Sequence, residues 1–165
     1  MTDIQIRAAK KEDMPRVWEL INELAIFEKE PDAVEVTVQD LEEDGYGEHP
    51  LFLCFVAEVN KKVEGIALIY NRYSTWKGPA IHLEDLIVSK PMRGNGIGSK
   101  LLDEVVKHAY QKGVKRINWE VLDWNEPAIA FYKSKGAKIM REWDVVHLNQ
   151  TAIANYIQNL NDANL

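Results

Sequence analysis

The chain has 165 residues, enough for one domain with a sizeable core, and its 46% apolar and 28% charged residues are ordinary globular composition. A net charge of −6 argues against nucleic acid and anionic membrane as partners, and no apolar run approaches the roughly 18–20 residues of a membrane helix. The single cysteine, Cys54, excludes an intrachain disulfide and fits a reducing, cytoplasmic setting, and the opening MTDIQIRAAKKED lacks the basic-then-apolar pattern of a secretory leader.

Ile4 and Ile6 alternate with polar residues and predict a short first strand. Met14, Val17, Leu20, Ile21, Leu24 and Phe27 then recur at helical spacing, with Pro15 tolerated in the first turn. Thr37 followed by Asp40 reads as a capping box before a second helix that ends near Gly45. Leu51 to Val59 is an apolar run too short for a helix. Asn60-Lys61-Lys62 turns it into a second such run, Val63 to Tyr73. Ser74 to Pro79 reads as a loop, and Ile81 to Val88 as a strand that carries Glu84 and Asp85 mid-run. A glycine-rich stretch follows, then a helix to about Lys112 stopped by Gly113. Ile117 to Leu122 is a predicted strand. Asp123 to Pro127 leads into a helix ended by Gly136. Lys138 to Leu148 reads as a further strand, and the tail from Gln150 as a helix with Ala152, Ile153, Tyr156, Ile157 and Leu160 on one face. The order β-α-α-β-β-β-α-β-α-β-α, without repeat or linker, predicts one mixed α/β domain over residues 1–165.

The stretch MRGNGIGSKLL, residues 92 to 102, sets three glycines at the mouth of a helix. Each costs about 1 kcal/mol of helix propensity, so a ligand is expected to compensate. A strand, a glycine turn and a helix start make an anion site, because unpaired N–H groups converge and no Cβ blocks approach. The NTPase phosphate loop needs G-x-x-x-x-G-K-[ST], but Ser99-Lys100 are in reversed order. The dinucleotide fingerprint needs G-x-G-x-x-G, and the spacing here is G-x-G-x-G. The pattern Arg/Gln-x-x-Gly-x-Gly/Ala, which cradles the pyrophosphate of coenzyme A, is matched in full by Arg93-Gly94-Asn95-Gly96-Ile97-Gly98.

These residues resemble the GNAT superfamily of N-acetyltransferases, within it the spermidine/spermine (diamine) and thialysine N-epsilon-acetyltransferases. The resemblance runs over nearly the whole chain. Its other carriers are Glu23-Leu24-Ala25, Asp44 to Pro50, Val56-Ala57-Glu58, Leu83-Glu84-Asp85, Trp124-Asn125-Glu126-Pro127 and Phe131-Tyr132-Lys133. It implies a mostly antiparallel mixed sheet flanked by helices, with two central strands splayed apart. It also implies acetyl transfer from acetyl-CoA to an amine by direct attack in a ternary complex, by a homodimer and without a metal. Coenzyme contacts would come from the backbone of Leu86, Ile87 and Val88, from Arg93, Gly94, Asn95, Gly96, Ile97, Gly98 and Ser99, and from Asn125, Glu126, Pro127, Ala128 and Tyr132.

An aliphatic ammonium must lose a proton before it attacks. Glu84 is the candidate acceptor of that proton, and Tyr132 the candidate donor to the departing thiolate. Adjacent acids in a strand point to opposite faces, so Glu84 and Asp85 are expected to diverge. Phe131 reads as a core residue. Substrate contacts are expected from Phe27, Glu28, Glu84, Asp85, Asn118, Trp119 and Glu120, a set whose carboxylates suit a cationic amine. Ser74 stands where the spermidine/spermine branch carries an acid, while Tyr73-Ser74-Thr75-Trp76-Lys77-Gly78 and Val121 to Asn125 match the thialysine branch. That favours a small amine bearing its own carboxylate, which Lys77 would help to hold. Cys54, inside an apolar strand and far in sequence from a histidine base, reads as an inert buried thiol. His49, His82, His108 and His147 show no metal spacing; His82 shares a strand face with Glu84 and is read as packing, with a modest tuning role. The competing readings are an acetyltransferase acting on protein or peptide amines and a non-catalytic acyl-CoA-binding module.

Overall fold

Ile4 and Ile6 open β1, Ile4–Ala8, which pairs antiparallel with β2, Leu53–Val59. The structure is a computed structural model that describes residues 4–162. α1, Met14–Phe27, carries Pro15 in its first turn and buries Met14, Val17 and Leu20. α2, Val38–Tyr46, starts at the expected capping box. Thr37 Oγ1 accepts from Asp40 N–H at 3.1 Å, and Asp40 Oδ2 accepts from Thr37 N–H at 2.8 Å.

β3, Lys62–Ser74, follows β2 across a two-residue turn in which Asn60 and Lys61 take φ of 50° and 66°. That left-handed pair matches the twist of the flanking strands. β4, Gly78–Val88, returns antiparallel to β3. The expected loop from Ser74 to Pro79 is a tight hairpin end instead. The buried Ser74 Oγ accepts from the N–H groups of Trp76 and Lys77 at 3.3 and 3.2 Å, which lets the strands pair out to Ser74 and Gly78.

α3, Ile97–Gln111, and β5, Ile117–Asn118, complete the sheet, whose order is β1-β2-β3-β4-β5. β5 runs parallel to β4 and touches it only at Ile81–Ile117 and His82–Asn118. The predicted strand over Ile117 to Leu122 is therefore two residues long. Beyond Asn118 the chain leaves β4, and a strand without a ladder partner leaves its polar backbone unpaired. Among the described residues no strand pairs with this edge of β4 from Leu83 onward.

One face of the sheet packs Cys54, Val56, Ile66, Leu68 and Ile87 against Met14, Val17, Leu20 and Leu41. α3 lies on the other face. There a Cβ at Gly65 would meet Leu101 Cδ1 at 3.1 Å and Ile87 O at 3.0 Å, so the glycine permits α3 to sit this close. Among the described residues no helix is long and apolar enough to cross a membrane.

The polypeptide forms two compact units, and the sheet belongs to the larger, which runs to Leu122. The smaller unit begins at Asp123 and contains α4, Glu126–Ser134, and α5, Gln150–Asp162. Gly136, at φ 86°, follows the end of α4 as expected. The strand expected over Lys138 to Leu148 has no regular structure. Its residues are strand formers, but the described part of this unit offers only helices, so no sheet edge within it can complete a ladder.

Candidate active site

β4 carries the candidate site because of a single register shift. Leu68 pairs with Asp85 and Ile69 with Leu83, so Glu84 is an extra residue opposite no partner. Such a bulge shifts the side-chain alternation. Tyr70 pairs with His82, and Leu68 shares the face of Tyr70, so His82 and Asp85 share a face although three residues apart. Glu84 is exposed and its neighbour Asp85 is partly buried. Burial, then the charges of Glu84 and Glu28, pushes the Asp85 carboxyl up to about 7. Burial raises the Glu28 carboxyl as well, at the C-cap of α1. Three carboxylates are thus gathered where β5 leaves β4.

The Glu84 side chain is 52% exposed, with Oε2 3.4 Å from Nε2 of the buried His82. His82 Nδ1 lies 2.7 Å from Asn118 Nδ2 on β5. The rings of Tyr70 and His82 are 4.9 Å apart and tilted by 31°. Burial, followed by the charge of Glu84, raises the Tyr70 phenol, and the charge of Glu120 adds to the effect. Of the expected substrate residues, Glu28, Glu84, Asp85, Asn118 and Glu120 are therefore brought into electrostatic or hydrogen-bond reach of this cluster. Trp119 lies just past the end of β5. Phe27 instead carries the Arg93 guanidinium 5.4 Å from its ring centroid. Ser74 and Lys77 are at the far tip of the β3–β4 hairpin. Gly78, opposite Ser74, is six strand positions from Glu84, about 20 Å at roughly 3.3 Å per residue.

The glycine stretch begins where β4 ends. Gly94 and Gly96 take φ of 81° and 74°, the left-handed region that glycine enters without penalty. Gly96 is the N-cap of α3 and offers no side-chain cap, and the first turn of the helix holds no acid. The first helical bond runs from Lys100 N–H to Gly96 O at 3.1 Å. The amides ahead of it lack intrahelical acceptors, as at every helix start. A Cβ on Gly94 or Gly96 would meet nothing within 4 Å, and one on Gly98 would meet only Val88 Cγ2 at 3.8 Å. An open, uncapped, positively polarised turn of this kind fits a pyrophosphate.

The Arg93 side chain holds the loop. Its Nε donates to Val88 O at 3.0 Å, and Nη2 lies 3.3 Å from Glu23 Oε1. Glu23 Oε1 also accepts from Lys90 N–H at 2.7 Å, tying the loop to α1. Ser89 Oγ donates to Glu64 Oε2 at 2.5 Å, and Asn95 Nδ2 to Met92 O at 3.1 Å. Tyr70, Glu64 and Ser89 escaped the sequence reading, and Glu23 entered it only as a carrier of the family resemblance. Glu64 is itself a bulge residue, skipped between the pairs Ala57–Gly65 and Glu58–Val63, and no local pattern reveals either bulge.

Within the smaller unit, Asn125 caps α4 by accepting from Ala128 N–H at 3.4 Å, with Glu126 and Pro127 in the first turn. Tyr132 is 8% exposed and Ile129 2%, whereas Phe131 is half-buried, 5.3 Å from the Tyr132 ring. The buried position of this pair is thus Tyr132 rather than Phe131. Cys54 is buried, and burial followed by the charge of Asp85 holds its thiol far above its usual range, which leaves it a poor nucleophile. Among the described residues, His, Cys, Asp and Glu side chains form no group of three placed to hold a metal ion.

The Acetyltransferase (GNAT) family model matches residues 14–137. The chain is 41% identical over 155 residues to the thialysine N-epsilon-acetyltransferase of Bos taurus, covering 89% of this chain and 91% of that one. It is 37% identical over 155 residues to spermidine/spermine N(1)-acetyltransferase-like protein 1 of Homo sapiens, covering 90% of this chain and 22% of that longer one. In fold it resembles the aminoglycoside N-acetyltransferase AAC(6')-Iy, solved in complex with CoA. The TM-score is 0.72 at 16% identity, over 91% of this chain and 97% of that one.

Proposed function

The chain belongs to the GNAT acetyltransferase family and is an acetyl-CoA-dependent N-acetyltransferase, and from that premise we propose that it acetylates the primary amine of a small cationic molecule: a diamine, a polyamine or a thialysine-like amino acid. The observation that carries this reading is the bulge at Glu84, which gathers Glu84, Asp85 and Glu28 beside the open edge of β4. Carboxylates that raise one another's proton affinity are relieved by a cation seated among them. The relatives named for thialysine and for spermidine/spermine support the same acceptor class.

Acetyl-CoA supplies an activated acetyl thioester. The amides of Gly94 to Ser99 hold its pyrophosphate, and the free edge of β4 at Leu86, Ile87 and Val88 pairs with amides of the pantetheine arm as an added strand would. Asn125 to Ala128, at the start of α4, complete the coenzyme contacts. Asp85 and Glu28 hold the substrate's cationic groups. Glu84 receives the ammonium proton, directly or through a water, so that the freed lone pair attacks the thioester carbonyl in a ternary complex. Tyr132 gives its phenolic proton to the departing thiolate, and the second proton lost by the nitrogen as the amide forms restores the phenol, directly or through a water. The enzyme acts in the cytoplasm as a homodimer.

The test is single-turnover acetylation of an amine panel with the wild type, Glu84→Gln and Tyr132→Phe. Diamines or thialysine should be acetylated in preference to peptides. Glu84→Gln should be slow near neutral pH and recover as the free amine fraction grows. Tyr132→Phe should bind acetyl-CoA normally and turn over about 10²–10⁴-fold more slowly. Preferred acetylation of peptide lysines would overturn the substrate class. An unchanged Tyr132→Phe rate across pH 6–9 would remove that residue from the mechanism.

A further inference from the structure

We propose that His82 is a positioning residue that aims the Glu84 carboxylate; the inference rests on Glu84 being the proton acceptor. Glu84 sits on a bulge, half exposed, and an unrestrained glutamate there would sample several rotamers. His82 is 6% exposed and fixed in β4 opposite Tyr70. Asn118 Nδ2 lies 2.7 Å from His82 Nδ1, and an amide NH₂ can only donate. Nδ1 therefore accepts, which places the ring proton of the neutral imidazole on Nε2. That nitrogen faces Glu84 Oε2 at 3.4 Å.

Turning the Asn118 amide over would put Oδ1 against Nδ1 and call for the proton there. A bare Nε2 lone pair would then face a carboxylate, which is repulsive. The observed orientation keeps the ring N–H toward Glu84 at the cost of a buried Asn118 Oδ1 that has no hydrogen-bond partner among the described residues. In the neutral ring β5 thus selects the tautomer, and the tautomer turns a ring N–H toward the acid, 3.4 Å away. Tyr70 packs against the ring, with centroids 4.9 Å apart, and limits its rotation, while its phenol also interacts with Glu84. The two-residue contact between β4 and β5 is where this relay crosses from strand to strand. His82 touches neither reactant; it acts through Glu84.

The experiment is a double-mutant cycle read as single-turnover rates with acetyl-CoA and the best amine of the panel. His82→Phe keeps bulk and removes the donor. It should lower the rate about 10- to 100-fold, less than the loss of acid–base assistance itself, with the KM for acetyl-CoA unchanged. In a Glu84→Gln background the same substitution should cost nothing further. His82→Gln, which keeps a donor N–H, should restore the rate to within about threefold. Asn118→Leu approaches the relay from its other end and should reproduce the loss. Nitrogen-15 NMR of the ring should report the Nε2–H tautomer in the wild type and its erosion in Asn118→Leu. Equal fractional losses from His82→Phe in both backgrounds, or an Nδ1–H tautomer in the wild type, would overturn the proposal and leave Glu84 as the acceptor. A wild-type rate in Glu84→Gln alone would remove the acceptor, and the proposal with it.

Discussion

Asp85 is a carboxyl whose proton affinity its surroundings raise strongly. Its carboxyl is pushed up to about 7, first by burial and then by Glu84 and Glu28. An unfolded aspartate titrates near 3.9. Between those values the native chain holds a proton that the unfolded chain has released, so stability falls as pH rises. The stabilising share is complete below about pH 4 and lost as pH climbs through about 7. Asp85→Asn removes this titration. Urea unfolding of both proteins from pH 4 to 8 should show the wild type losing stability relative to Asp85→Asn as pH rises. A stability difference flat across that window would mean that Asp85 titrates normally. Seating an ammonium nearby favours the charged form, so amine binding should tighten over the same range.

At the scale of elements, the joint between β4 and α3 separates what folds the chain from what serves its ligand. Gly94 and Gly96 are required by their positive φ, but Gly98 is not: it lies in the first turn of α3 with ordinary helical backbone and room for a Cβ. Gly98→Glu exchanges a poor helix former for a good one and puts a negative charge at the favourable end of the helix dipole, each worth a few tenths to about 1 kcal/mol. The melting temperature should hold or rise by a few degrees. Acetyl-CoA affinity, measured by calorimetry, should drop about tenfold or more through repulsion of the pyrophosphate. Unchanged affinity would detach the loop from the coenzyme. The motif, the capping box at Thr37 and the periodicity of α1 were legible in the sequence because each is encoded locally. The bulge at Glu84 was not, since it exists only relative to β3. Nor was the brevity of β5, where Ile117 to Leu122 is strand-like throughout and only the divergence from β4 ends the ladder. The roles that went unread, those of Tyr70 and of the Glu23 latch, depend on register and on helix placement rather than on spacing.

For the whole molecule, the smaller unit raises a question of partnership. The segment Lys138 to Leu148 has strand-forming residues without a strand, and it shows water Trp143, Val145, Val146 and Leu148, with Val146 87% exposed. Ile153, Tyr156, Ile157 and Leu160 of α5 are exposed as well. Apolar side chains this many and this contiguous in sequence are unusual on a monomer's surface and common at interfaces between copies. A second chain can supply both the apolar cover and the hydrogen-bonded edge that the segment lacks within its own unit. The expected state at micromolar concentration is therefore a homodimer, with a light-scattering mass twice the 18.9 kDa of the chain. Val146→Lys places a charge in the centre of the exposed run, where isolated chains would tolerate it and a packed interface would not. It should shift the mass toward the monomer while leaving the far-ultraviolet circular dichroism of the sheet and helices unchanged. A wild type that scatters only as a monomer across the micromolar range would mean that the run meets no second copy, and Val146→Lys would then change nothing.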